Sequence, residues 1–158
     1  MKKVIKVILL VAIAIVILTP SFVLAFQLAR TSPEVYMGET EVNPAFVSWS
    51  VINSDGEEVI TSLSQARAEK KFQRAEKMVV TMDQIKQLTF PRSYLGCAVS
   101  VYALQETEHS YPKNITFDSF KMLNIAVVEP LQVTIVVLWE ITEGVRVKAA
   151  YSFEVHPL

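Results

Sequence analysis

Between Leu131 and Val155 apolar and polar side chains alternate almost without a break. Leu131, Val133, Ile135, Val137, Trp139 and Ile141 share one parity, and after a short interruption Val145, Val147, Ala149, Tyr151, Phe153 and Val155 do the same. A period of two is that of a strand with one face buried, because successive side chains point to opposite sides. The interruption, Thr142-Glu143-Gly144, ends on a glycine at the position where a type I turn plus bulge needs a positive φ. The spacing predicts an antiparallel hairpin. Val136 and Leu138 make the second face of its first strand apolar as well, which places that strand inside a sheet rather than at its edge.

Shorter stretches extend the same reading. Phe46–Ile52 sets Val47, Trp49 and Val51 against Ser48 and Ser50, and the turn cluster Asn53-Ser54-Asp55-Gly56 leads into a further strand over Glu57–Thr61. Leu95, Cys97, Val99, Val101 and Ala103 form one face of Tyr94–Leu104, and Leu123, Ile125 and Val127 form one face of Phe120–Val128. Helical spacing occurs over Leu63–Lys77, with Ala68, Phe72, Ala75 and Val79 three to four apart. A second, short helix starts at Thr81, whose pairing with Gln84 resembles a capping box, and stops before Pro91. The fold expected is mainly β: an apolar N-terminal helix, then an antiparallel β-sandwich-like domain with one or two inserted helices.

The N-terminal segment decides where such a domain would sit. Lys2, Lys3 and Lys6 precede Val7–Leu18, twelve residues without a polar side chain; Thr19-Pro20-Ser21 follows, then Phe22–Leu28, broken only by Gln27. As an anchor, Val7–Leu28 gives about 33 Å of helix, enough for a hydrocarbon core of about 30 Å, and a kink at Pro20 is tolerated in membranes. As a signal peptide, the same stretch has a basic start, an apolar core, a breaker at Pro20, and Val23 and Ala25 at the small-residue positions before a cut after Ala25. The first expectation is a retained anchor, with the lysines cytoplasmic and residues 29–158 outside. The organisation expected is an anchor over 1–28, a short connection over 29–44, and an extracytoplasmic β-rich domain over 45–158.

Removing the leader changes what the composition says. The chain is 51% apolar overall, but residues 29–158 hold 60 apolar residues in 130, an ordinary globular proportion. Without the three lysines, 12 basic residues face 16 acidic ones, a net charge of -4 that gives no electrostatic case for binding nucleic acid. One cysteine, Cys97, cannot form an internal disulfide, and its place on an apolar strand face reads as a small core side chain.

Groups able to do chemistry are few. The two histidines, His109 and His156, stand in no catalytic motif, and of the three aspartates Asp55 belongs to a turn and Asp83 to the first turn of a helix. Glu106, Glu108 and His109 are the one cluster with ligand chemistry, a weak divalent-metal candidate beside the plainer reading of a polar loop tip. No cofactor and no catalytic residue is expected. The expected helix carries Arg67, Lys70, Lys71, Arg74 and Lys77, of which Arg67, Lys70 or Lys71, and Arg74 recur at three-to-four spacing as a basic stripe that could face anionic lipid headgroups, an acidic neighbouring subunit, a surface glycan or simply solvent. Asn114-Ile115-Thr116 is a glycosylation sequon in an expected outer loop. Trp49 and Trp139 fall on inward faces, where packing explains them better than sugar stacking, a role also weighed for Tyr94 and Tyr102.

The reading that follows is a non-catalytic, membrane-anchored extracytoplasmic β-domain, touching lipid through residues 7–28 and protein partners, itself included, through its head. The alternatives are a secreted filament or surface-layer subunit, with Thr31–Val42 as a donor strand for a neighbour's edge, and an extracytoplasmic ligand- or metal-binding module. An apolar N-terminal helix before a β-rich head resembles the layout of archaeal pilin-like and archaellum-accessory proteins. The charged-Gly or charged-Ala processing site that such pilins carry before the apolar run is not present in this sequence.

Overall fold

The computed structural model describes residues 33–61, 70, 72, 75, 77–90, 93–105 and 109–157, all within the compact unit Ser32–Leu158. In chain order they form β1 (Tyr36–Met37), β2 (Thr40–Glu41), β3 (Phe46–Ile52), β4 (Glu58–Thr61), β5 (Met78–Val79), α1 (Met82–Lys86), β6 (Leu88–Thr89), β7 (Gly96–Ala103), β8 (Ile115–Thr116), α2 (Phe117–Met122), β9 (Leu131–Thr142) and β10 (Val145–Val155). The architecture is mainly antiparallel β, in two sheets, as the alternation predicts. Among the described residues no helix is long and apolar enough to cross a membrane, and the expected anchor, with Val7, Leu18, Pro20 and Leu28, lies outside them.

The large sheet runs β4-β3-β10-β9-β7-β8. β9 and β10 pair from Val155↔Leu131 to Val145↔Thr142, with a bulge between Val145 and Arg146 and Gly144 at φ 73°. That is the turn-plus-bulge geometry expected of Thr142-Glu143-Gly144. β9 lies between β10 and β7. Its odd positions from Leu131 to Trp139 are fully buried, and its even positions to Leu138 are half-buried, matching the expectation of an interior strand. The other edge of β10 is covered twice: by β3 over Val145–Ala150 and, in parallel, by β5 over Phe153–Glu154.

One face of this sheet forms the floor of the core: Val99 and Val101 from β7, Leu131 to Trp139 from β9, and Ala149, Tyr151, Phe153 and Val155 from β10. The roof joins the small sheet β2-β1-β6 to the two helices, through Val35, Val42, Met82, Ile85, Leu88, Phe117 and Phe120. An amphipathic roof over a half-apolar sheet is the two-layer solution open to a chain of this size. α1 begins where expected. Thr81 Oγ1 accepts from the Gln84 backbone at 3.2 Å, and Gln84 Oε1 accepts from the Thr81 backbone at 2.8 Å.

Two expectations are corrected. Residues 33–44, read as connection, carry β1 and β2 and bury Val35 and Val42 in the core. The strand expected over Phe120–Val128 is not there: Phe117–Met122 is helix and 123–128 joins no sheet. Thr116 caps that helix by accepting from the Ser119 backbone at 3.2 Å. Asp118 and Lys121 suit its two ends, and Phe117 and Phe120, three apart, both bury. The period of two in Leu123, Ile125 and Val127 governs burial only after the helix has ended. The helix expected over Leu63–Lys77 lies largely outside the described residues.

Candidate functional site

The described residues bring chemistry-bearing side chains together where the loop after β7 meets the segment before β9. Two backbone bonds staple these stretches: Val101 donates to Pro112 at 2.8 Å and Leu104 donates to Pro130 at 3.0 Å. The staples bring Glu129 under the loop. The Tyr111 hydroxyl donates to Glu129 Oε1 at 2.7 Å, and His109 Nδ1 lies 3.7 Å from the same oxygen. The His109 and Tyr111 rings are 6.4 Å apart. His109 is largely exposed, whereas the Glu129 carboxylate is mostly covered. Accepting from Tyr111, Glu129 keeps that phenol protonated, and with burial this pushes Tyr111 up to about 12.

The arrangement can offer one nitrogen and one oxygen to a cation. Glu106 and Glu108, which the sequence groups with His109, lie outside the described residues; among the described residues no three His, Cys, Asp or Glu side chains gather around one point. Sequence reasoning found His109 but missed Glu129 and Tyr111. Glu129 is 20 positions from His109 and marked only by the Pro130 that follows it, so no local signal could have joined them.

The remaining candidates go to separate places. Of the basic stripe, Arg67, Lys71 and Arg74 lie outside the described residues, and Lys70 is exposed. Lys77 is half-buried and donates through Nζ to Gln132 Oε1 on β9 at 3.0 Å, while Gln132 Nε2 donates to Ser152 on β10 at 3.2 Å. Lys77 therefore ties the strand entering β5 to the outer face of the large sheet. Asn114 is exposed at φ 54°; its backbone donates to Ser100 Oγ at 3.0 Å, and its side-chain oxygen accepts from that hydroxyl at 3.2 Å. Its sequon partner Thr116 serves as the α2 cap. His156, in the exposed C-terminal residues, sits 2.8 Å from Glu154.

Cys97 is half-buried on the core face of β7, and burial, then the nearby Asp118 charge, pushes its thiol up to about 12. Trp139 is fully buried in the core, as packing predicts, and Trp49 is half-buried; both stand beside Val147 in the ladder. Tyr94 meets Phe90 edge-on at 5.4 Å, and Tyr102 lies under Lys113 Nζ at 5.2 Å from its ring centre. No family model, no curated protein and no solved structure matches this chain.

Proposed function

We propose that the protein is a non-catalytic, single-pass membrane-anchored extracytoplasmic β-domain, serving as a structural, assembly or accessory subunit of a membrane or cell-surface complex. One observation carries the reading: an apolar stretch of spanning length behind three lysines leads, within seven positions of Leu28, to the first core residue of a sheet-built head, Val35. A tether that short extends at most about 25 Å, so in this reading the head works beside its own bilayer. The side chains best suited to chemistry support contact over catalysis. His156 pairs with Glu154, Glu129 is engaged by Tyr111, and the Cys97 thiol is held protonated.

The filament alternative draws on Thr31–Val42 as a donor strand. Within the described chain, Tyr36 and Met37 of that segment already pair with Thr89 and Leu88, and Val35 and Val42 fill the core of the same head. That occupancy favours the anchored subunit. The test is extraction of the native protein from membranes in mild detergent, with N-terminal sequencing, sizing and identification of whatever co-purifies. An intact N-terminus in an assembly larger than one 17.8 kDa chain is expected. Recovery from the cytosol, or a lone monomer with no companion protein, overturns the proposal, and a start at Phe26 transfers it to the secreted alternative.

A further inference from the structure

Ser100 lies on the outer face of β7 and is only 7% exposed, so its hydroxyl needs partners for its proton and for its lone pairs. Asn114 supplies both. Its backbone N–H donates to Ser100 Oγ at 3.0 Å, and its Oδ1 accepts the Ser100 proton at 3.2 Å. Between these two bonds Asn114 stands at φ 54°, the one positive φ outside glycine among the described residues and a region that asparagine tolerates.

The same bonds fix which end of the amide faces out. Turned the other way, the amide would aim N–H groups at an oxygen that already accepts from the Asn114 backbone, and the buried Ser100 proton would lose its acceptor. With Oδ1 on Ser100, the planar amide carries Nδ2 on the other side of Cγ. Asn114 is exposed, and among the described residues no hydrogen bond uses Nδ2. Asn114-Ile115-Thr116 has the acceptor asparagine, a middle residue other than proline, and a hydroxyl two positions on. The nitrogen left free is the atom that such a triplet has modified.

We propose that Asn114 carries an N-linked glycan. In the transfer, Nδ2 gives up a proton and bonds to the anomeric carbon of the first sugar. The bond from that carbon to the phosphate oxygen of a lipid-linked saccharide breaks, and the lipid phosphate leaves with the electron pair. Oδ1 remains an acceptor afterwards, so the Ser100 contact survives the modification. Thr116 Oγ1 accepts from the Ser119 backbone at 3.2 Å and donates to Ser119 Oγ at 2.8 Å, and Ile115 pairs with Val99. The triplet is thus engaged in the folded head, and transfer belongs to the chain before it folds. β8 is the last strand of the large sheet. A bulky, solvated group on the residue before it closes that edge to strands of other molecules.

This inference rests on the reading that the head lies on the outer side of the membrane, where such triplets are modified. The test is mass spectrometry of the full chain extracted from its native membranes and cut with trypsin. The expected peptide ends at Lys121 and is heavier than its amino acids by a saccharide, with fragmentation placing the sugar on Asn114. Asn114→Asp keeps an oxygen for Ser100 and a residue that tolerates the left-handed region, but removes the nitrogen. Its peptide should be bare while tryptophan emission stays native. A bare Asn114 in the unaltered protein overturns the inference, and so does a saccharide that persists in Asn114→Asp, since it would sit on a hydroxyl. In both cases the anchored-subunit reading survives wherever the chain still comes from membranes with a companion protein; recovery from the cytosol removes both.

Discussion

Gly144 holds the turn on which the central hairpin depends, and replacing it with alanine tests two physical effects at once. Its φ of 73° lies in the left-handed region, and a Cβ there would come within 3.1 Å of the Ile52 carbonyl oxygen. A non-glycine residue in that region costs about 1–2 kcal/mol. Relieving the close approach moves backbone against the Ile52 N–H to Gly144 carbonyl bond, 2.7 Å long, and weakening such a bond costs about 0.5–1.5 kcal/mol. Against this, the unfolded chain loses freedom when glycine becomes alanine, which returns about 0.4–1 kcal/mol. Gly144→Ala should therefore destabilise the head by about 0.5–3 kcal/mol.

Gly56→Ala is the matched comparison. Its φ of 82° carries the same conformational strain, but a Cβ there meets nothing within 4 Å. Its expected cost is about 0–1.5 kcal/mol, and the gap between the two variants isolates the contact with Ile52. Both tryptophans, Trp49 and Trp139, flank Val147 on β10, so urea titration of the full chain in detergent, followed by their fluorescence, reports this region directly. Equal losses in the two variants would refute the close-approach argument, and a gain in stability from Gly144→Ala would refute the turn itself.

Three further outcomes follow from particular contacts. Thr81→Ala removes the α1 cap and should cost about 1 kcal/mol locally; the Ile85 amide, which donates to Thr81 at 3.2 Å, should then exchange several-fold faster. Because Tyr111 is raised from 10.0 to about 12 by Glu129, its contribution to stability is complete below pH 10 and is lost as pH rises through about 12. Alkaline titration should show that decline, and Tyr111→Phe should flatten it; an unchanged profile counts against the bond. The Cys97 thiol, raised from 9.0 to about 12, should alkylate roughly a thousandfold more slowly at pH 8 in the folded protein than in urea, and a rate near that of a free thiol would mean the strand face is open.

What could be read in the sequence was what rests on neighbours. The alternation from Leu131 to Val155, the Gly144 turn, the bounds of Phe46–Ile52 and the Thr81–Gln84 box all depend on residues within a few positions, and each is present in the structure. β1, β2 and β6 escaped because two residues cannot show a period. Val35 and Val42 look like linker residues until the Val42 N–H is seen to donate to the Val35 carbonyl at 2.8 Å, closing the small hairpin. The candidate site was half legible for the same reason. His109 is conspicuous by rarity, while Glu129 is one of many carboxylates and acquires meaning only when Leu104 docks on Pro130. Lys77 is the counterpart among the basic residues: it reads as one more charge on a helix face, yet its partner, Gln132, is 55 positions away.

The misread strand over Phe120–Val128 has a plain physical origin. Period two records which side chains a backbone turns toward a hydrophobic floor; it says nothing of whether that backbone has a neighbour. In β9 the two coincide, because β7 and β10 supply ladders on both sides. In 123–128 they separate: Ile125 and Val127 pack on the core as strand residues do, while no strand among the described residues lies alongside. There the alternation reports burial alone: it marks Ile125 and Val127 as the side chains that face the core, and leaves Met122 and Val128 as its exposed margin.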